Sequence, residues 1–256
     1  MPDTYVIEAA SQGIAVAIGI NNAPIVTDLA AEGIRTSRAI NEWIMPEGNA
    51  LTAYLVWPDD RDFEPGLAEV HSRVFRPRPE TSPPEPLELL AEFRWPVPDQ
   101  PEAYPHTVEV PFQVKDPPPT RLWADAAPIE TLSDLDRRLI IERVNEFASL
   151  VGSGDVPGTV ALTEYKWRED ARANQKDEQR MLDVASQSYT MVARKNGTPS
   201  PPIEPKSADF HISTGRRVVT VTRDGGLPPV TVTTERMRFS FAMHLARIAD
   251  EWTIVR

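Results

Sequence analysis

Cysteine is absent from the 256 residues, which removes disulfides, thiolate zinc sites and cysteine nucleophiles together. No apolar run approaches the roughly 20 residues that a membrane-spanning helix needs. The opening segment MPDTYVIEAA lacks the basic start and apolar centre of a secretory leader. Aromatic residues are sparse, at 7%. Positive charge is short as well: 27 Lys and Arg face 38 Asp and Glu, for a formal net charge of −11. A negative surface repels phosphate, so nucleic acid and anionic membranes are poor partners. The expectation is a cytoplasmic protein.

What is present is unevenly spread. Residues 1–57 carry a net charge of −4, residues 58–128 carry −7, and residues 129–256 are neutral. Sixteen of the 26 prolines also lie in 58–128. Proline breaks helix interiors, so the first half reads as short strands and extended connections. Its acid excess predicts a face for a basic protein partner.

Alternation supports that reading. Ile14, Val16, Ile18 and Ile20 recur on one face before the turn-forming Asn21-Asn22. Leu51, Ala53, Leu55 and Trp57 repeat the pattern after Glu47-Gly48-Asn49. Val108, Val110, Phe112 and Val114 repeat it again, with Pro111 marking an edge position or a bulge. Leu87–Trp95 reads as a further strand. Residues 1–127 are therefore expected to form an acidic, antiparallel β-sandwich.

The runs IGINNAPIVTD and INEWIMPEGNALTAYLVWP resemble the small jelly-roll sandwiches attached to glycosidases and related bacterial proteins. The resemblance covers about residues 14–58 and carries no sugar-binding residue across. A carbohydrate site would need Trp43 or Trp57 exposed, and alternation groups Trp57 with Leu51 and Leu55.

After Pro128 the period changes. Leu132, Leu135, Leu139, Ile140, Val144, Phe147 and Val151 fall at helical spacing, with Thr131 or Ser133 as N-cap and an end at Gly152. Asp155 with Pro157 starts a second helix that contains Tyr165 and Trp167 and passes into the charged stretch 168–180. A third helix, or a continuation, carries Met181, Val184, Ala185, Ser188 and Val192. Strands then follow at 209–213, 216–223, 230–246 and 251–256, with Asp224-Gly225 as a hairpin signal between the second and third. Three helices before a meander give an α+β order for 128–256.

That order, with LVGSGDVPGTVAL early and RIADEWTIVR last, resembles the nuclear-transport-factor-2-like fold over about 130–256. The resemblance implies a cone of helices on a curved antiparallel sheet. This fold hosts cofactor-free isomerases, dehydratases and cyclases as well as binding and dimerisation domains, so it does not decide function.

Local motifs are uninformative. GSGDVPG has the wrong glycine spacing for a dinucleotide loop and follows a helix instead of a strand. His71, His106, His211 and His244 are too far apart for a local metal motif. Asn196-Gly197-Thr198 is a glycosylation sequon without a leader, and no G-x-S-x-G elbow occurs.

Period-2 geometry sets Met237, Phe239, Phe241, Met243 and Leu245 on the buried face of the long strand. It turns Arg236, Arg238 and His244 to the opposite face, and Asp209 and His211 outward beside them. These five are the interface candidates, for a protein partner or for self-association. Tyr165, Asp183 and Tyr189 are the catalytic candidates if the interior holds an open pocket. No cofactor or metal is expected. The favoured function is non-enzymatic binding, of an accessory or immunity type. The alternatives are an isomerase, dehydratase or cyclase working in the cone, and sugar binding by the sandwich.

Overall fold

The computed structural model describes residues 4–56, 68–78, 86–96 and 107–256. Trp57 and His106 lie outside the described residues. The chain is α+β and divides into two compact units, residues 1–118 and 119–256.

The described residues of the first unit hold eight strands: β1 Val6–Gln12, β2 Ala15–Ile20, β3 Ala23–Asp28, β4 Ile34–Ala39, β5 Asn49–Val56, β6 Glu69–Pro77, β7 Pro86–Trp95 and β8 Thr107–Phe112. They form two antiparallel sheets, ordered β4-β1-β6-β7 and β3-β2-β5-β8. Ile7 and Val74 of one sheet share a core with Ile18, Leu51 and Leu55 of the other. Pro111 sits on β8, an edge strand, where a missing N–H costs least. Asn21 and Asn22 both have positive φ, 56° and 64°, the backbone of a two-residue hairpin turn that asparagine tolerates. The register shifts at Ile18/Gly19, and a side chain at Gly19 would collide with the Ala23 carbonyl oxygen.

Buried amides explain the Asn-rich runs. The Asn21 side chain accepts from the Ala50 N–H at 2.8 Å and donates to the Trp43 carbonyl at 2.9 Å and Asn49 Oδ1 at 3.3 Å. Asn49 also accepts from the Met45 N–H and donates to the Met45 carbonyl, at 2.7 and 2.8 Å. Asn41 Oδ1 takes the Tyr5 N–H at 2.7 Å. The motif therefore fastens the connection before β5 to the β2–β3 turn. Trp43 is buried in the same core, which removes it as an exposed sugar platform.

The second unit opens with α1 Leu122–Asp125 and continues through α2 Asp134–Ser153, α3 Val156–Leu162, α4 Glu164–Ala173 and α5 Glu178–Ala193. Ser133 and Asp136 form a reciprocal capping box on α2, and Gly154 closes it in the left-handed conformation at φ 73°. The helix thus runs one residue past its expected end at Gly152, to Ser153, with Gly154 as the cap. Asp155 caps α3. The expected second helix is two helices, broken at Thr163, whose hydroxyl donates back to the Thr159 carbonyl at 2.7 Å.

Strands β9 Thr198–Pro199, β10 Ala208–Ile212, β11 Val219–Arg223, β12 Val230–Thr233, β13 Arg238–Phe241, β14 Met243–Ile248 and β15 Glu251–Ile254 complete the unit. They form two antiparallel sheets, β10-β11-β14-β15 and β13-β12-β9. Two expectations are corrected here. The strand expected over 230–246 folds back on itself at 234–237, because Thr234 Oγ1 accepts from the Arg236 and Met237 N–H groups and pins a turn. The Asp224-Gly225 turn exists, with Gly225 at φ 77°, but it passes the chain between sheets, so β11 and β12 are not paired.

Candidate functional site

The expected alternation of exposure holds along 238–243 and ends there, since His244 and Ala246 are buried as well. Phe239 and Phe241 are half-buried against the core, Met243 and Leu245 are fully inside it, and Arg238, Ser240 and Ala242 are exposed. Met237 falls in the turn and is exposed. The helix-facing side of the sheets carries aromatic rings in edge-on contact. Phe147 of α2 meets Tyr189 of α5 at 6.1 Å and Phe241 at 5.2 Å between centroids, and Trp167 meets Tyr189 at 6.3 Å. Such pairs pack tightly and favourably.

The structure does not bring the three catalytic candidates together. Tyr189 is buried, and its hydroxyl donates to Thr163 Oγ1 at 3.2 Å. Asp183 lies on the exposed side of α5 and accepts from Gln179 Nε2 at 3.2 Å. A solvated carboxylate lacks the burial that tunes a general base, so its expected role in the interior is withdrawn. Tyr165, on α4, donates to Asp125 Oδ2 at 3.3 Å. Burial, with the charges of Glu169 and Asp125, pushes its phenol above the usual range and keeps it a donor.

The interface candidates separate as well. Register sets His211, Thr220 and His244 side by side across β10, β11 and β14, and Asp209 beside Thr222. They share the face turned from the aromatic core, as period 2 requires. His211 and Asp209 occupy the edge strand and are exposed. His244 is only 3% exposed, and this corrects its place among the interface residues. The sheet face is covered there: α4 packs on β15 and brings Lys166 near His244. Arg236 sits in the 234–237 turn and Arg238 on β13, in the other sheet. Both are exposed, and neither guanidinium bonds a described residue.

Under α4 lies a group of buried ionisable side chains that sequence reasoning did not single out. Glu169 is fully buried, accepts from the Arg121 and Leu122 N–H groups at 2.8 Å each, and pairs with Arg172 at 2.8 Å. Arg256 is buried with Nη1 3.8 Å from Asp170, which also pairs with Lys166 at 2.9 Å. The His244 Nδ1 lies 2.9 Å from Thr220 Oγ1. Burial, then the nearby charges of Arg256 and Lys166, lowers the imidazole to about 3, so it is neutral near neutral pH. A neutral ring under a helix acts as a hydrogen-bonding tie. The one local sign of this arrangement was Ala171 and Ala173, small residues inside the charged stretch that mark where α4 turns inward.

Among the described residues, no three His, Cys, Asp or Glu side chains converge as metal ligands would, and no helix is long and apolar enough to cross a membrane. No family model, curated protein or solved structure matches this chain.

Proposed function

We propose that this chain is a cytoplasmic binding protein without a reaction of its own, which takes a basic protein partner on its acid-rich first half. In this reading the first unit is a jelly-roll-type sandwich and the second a nuclear-transport-factor-2-like cone. The observation that supports the reading is the edge-on packing of Phe147, Tyr189, Phe241 and Trp167 in the interior, where a cone enzyme would need room for substrate. Asp183 is solvated and the Tyr189 hydroxyl is engaged, which weighs against the isomerase alternative and leaves Tyr165, donating to Asp125, as its remaining candidate. Burial of Trp43 weighs against the carbohydrate alternative.

Charge supplies the class of partner. Nine acidic side chains against one basic fall within 1–3, 57–67, 79–85 and 97–106, which is a net −8 of the whole −11. The test is capture from native lysate on immobilised full-length chain at low and moderate salt. The expected result is a stoichiometric basic protein released as salt rises. Neutralising Asp59, Asp60 and Asp62 to Asn should weaken the capture, whereas reversing Arg236 and Arg238 to Glu should leave it intact. Capture indifferent to the acidic variant, or turnover abolished by Tyr165→Phe, would overturn the proposal.

A further inference from the structure

The outer face of the β4-β1-β6-β7 sheet carries a feature that the binding reading does not use. Register aligns Arg35, Ala10, His71 and Arg94 in one row across the four strands. Neighbouring side chains in such a row stand about 5 Å apart at Cβ. Ala10 has only a methyl to offer, so the row dips between longer neighbours. A hollow of about 500 Å³ opens there, its walls including Glu8, Arg35, Glu69, His71 and Arg94.

Most charges around the hollow are already spoken for. Arg73 pairs with Glu8 at 2.7 Å, and Glu92 takes His71 Nε2 at 2.8 Å and Arg94 Nη2 at 2.9 Å. Two are not. Arg35 and Glu69 are exposed, and neither makes a hydrogen bond or ion pair with a described residue. They do not pair with each other in this structure. Arg35 stands in the Ala10 row, while Glu69 stands opposite Gln12 on the far side of β1. Two strand spacings across and two residues along separate their Cα atoms by about 12 Å.

We infer that this hollow binds a small zwitterion, its carboxylate on Arg35 and its ammonium on Glu69. A plain anion would meet the Glu69 carboxylate, and a plain cation would meet Arg35 and Arg94. A molecule with both charges satisfies both ends and lays its carbon chain over Ala10. A guanidinium suits a carboxylate because its planar fork can donate twice.

The experiment is an amide NMR titration of the full chain with glycine, γ-aminobutyrate and ε-aminocaproate, which differ in charge separation. Caproate and n-hexylamine serve as single-charge controls. One of the amino acids should saturate shifts at Ala10, Arg35, Glu69 and His71, at least ~10-fold more tightly than either control. Arg35→Ala and Glu69→Gln should each weaken it by ~10-fold or more. Both positions are exposed, and an unchanged spectrum elsewhere checks that each variant stays folded. Caproate binding as tightly as the amino acids would make this an anion site and overturn the proposal. Absence of saturable, localised shifts with all three amino acids would overturn it too.

Discussion

The two units bury different kinds of polar group. In residues 1–118 the inner ties are mostly neutral, namely Asn21, Asn41, Asn49 and Ser72, whereas residues 119–256 bury Glu169, His244 and Arg256. An amide satisfies a turn or strand end without titrating. A buried charge must recover a larger desolvation penalty from its partners, and it links stability to pH. The first unit is thus fastened mostly by neutral hydrogen bonds, with Asp28 a buried carboxylate among them, and the second by buried charged groups and a neutral imidazole.

The sharpest way to test that contrast is to remove a charged tie. Glu169→Ala leaves two backbone N–H groups and Arg172 without their acceptor. It should cost about 3–5 kcal/mol, read from urea unfolding together with hydrogen exchange in β11 and β14. Exchange in β2 and β5 should not change. The neutral counterpart is Asn21→Ala, which deletes three buried hydrogen bonds and should cost about 2–4 kcal/mol. Its effect should appear in β2 and β5 exchange and be the same at pH 7 and pH 5.

Acid should distinguish the units by itself. The imidazole of His244 falls from an ordinary 6.5 to about 3 on folding, so the unfolded chain binds the extra proton first. The stability it contributes is complete above pH 6.5 and is lost as pH falls toward 3, by about 1.4 kcal/mol per pH unit. Between pH 6.5 and 5 the second unit should therefore weaken by about 2 kcal/mol. His244→Gln should flatten that slope. An equally steep slope in the variant would show that another group is responsible.

A smaller effect is expected at Asp136. Burial alone would raise this carboxyl, but the Ser133 hydroxyl and N–H, Arg247 and the Trp252 ring N–H outweigh it and hold it below the usual range. Asp136→Ala removes the capping box and the link to Trp252, and should cost about 1–2 kcal/mol by thermal unfolding. Asp183→Ala should be the mildest change, within about 0.5 kcal/mol, since the side chain is exposed and holds only Gln179. A large loss there would contradict its placement on the surface.

Much of the local structure was legible in the residues. Alternation located β2, β5 and β8, and the helical period with Ser133 located α2. Strands β1, β4 and β6 were not recognised. β4 has the run Ile34-Arg35-Thr36-Ser37-Arg38-Ala39 and is exposed along most of its length, so it carries no apolar stripe to read. The turn at 234–237 escaped notice because Thr234 closes it with a hydroxyl, without glycine or asparagine. Of the residues singled out from the sequence, Tyr189 and His244 are buried and Asp183 is exposed.

His211 and His244 show where sequence stops and tertiary structure begins. Pattern alone put both on the sheet face turned away from Met243 and Leu245, and the register places them in one row. His244 is buried where α4 packs against β15 and Arg256 and Lys166 come near, whereas His211 on the β10 edge is exposed. A period of two is set by backbone geometry within a strand, so it can be read from adjacent residues. Cover is set by where a helix some 70 positions away in the chain docks, and neighbours in the sequence hold no record of it. The α+β class, several strand and helix limits and the two faces of the sheet can be read from neighbouring residues alone. Which polar residues became buried ties and which stayed exposed was settled by how distant elements dock.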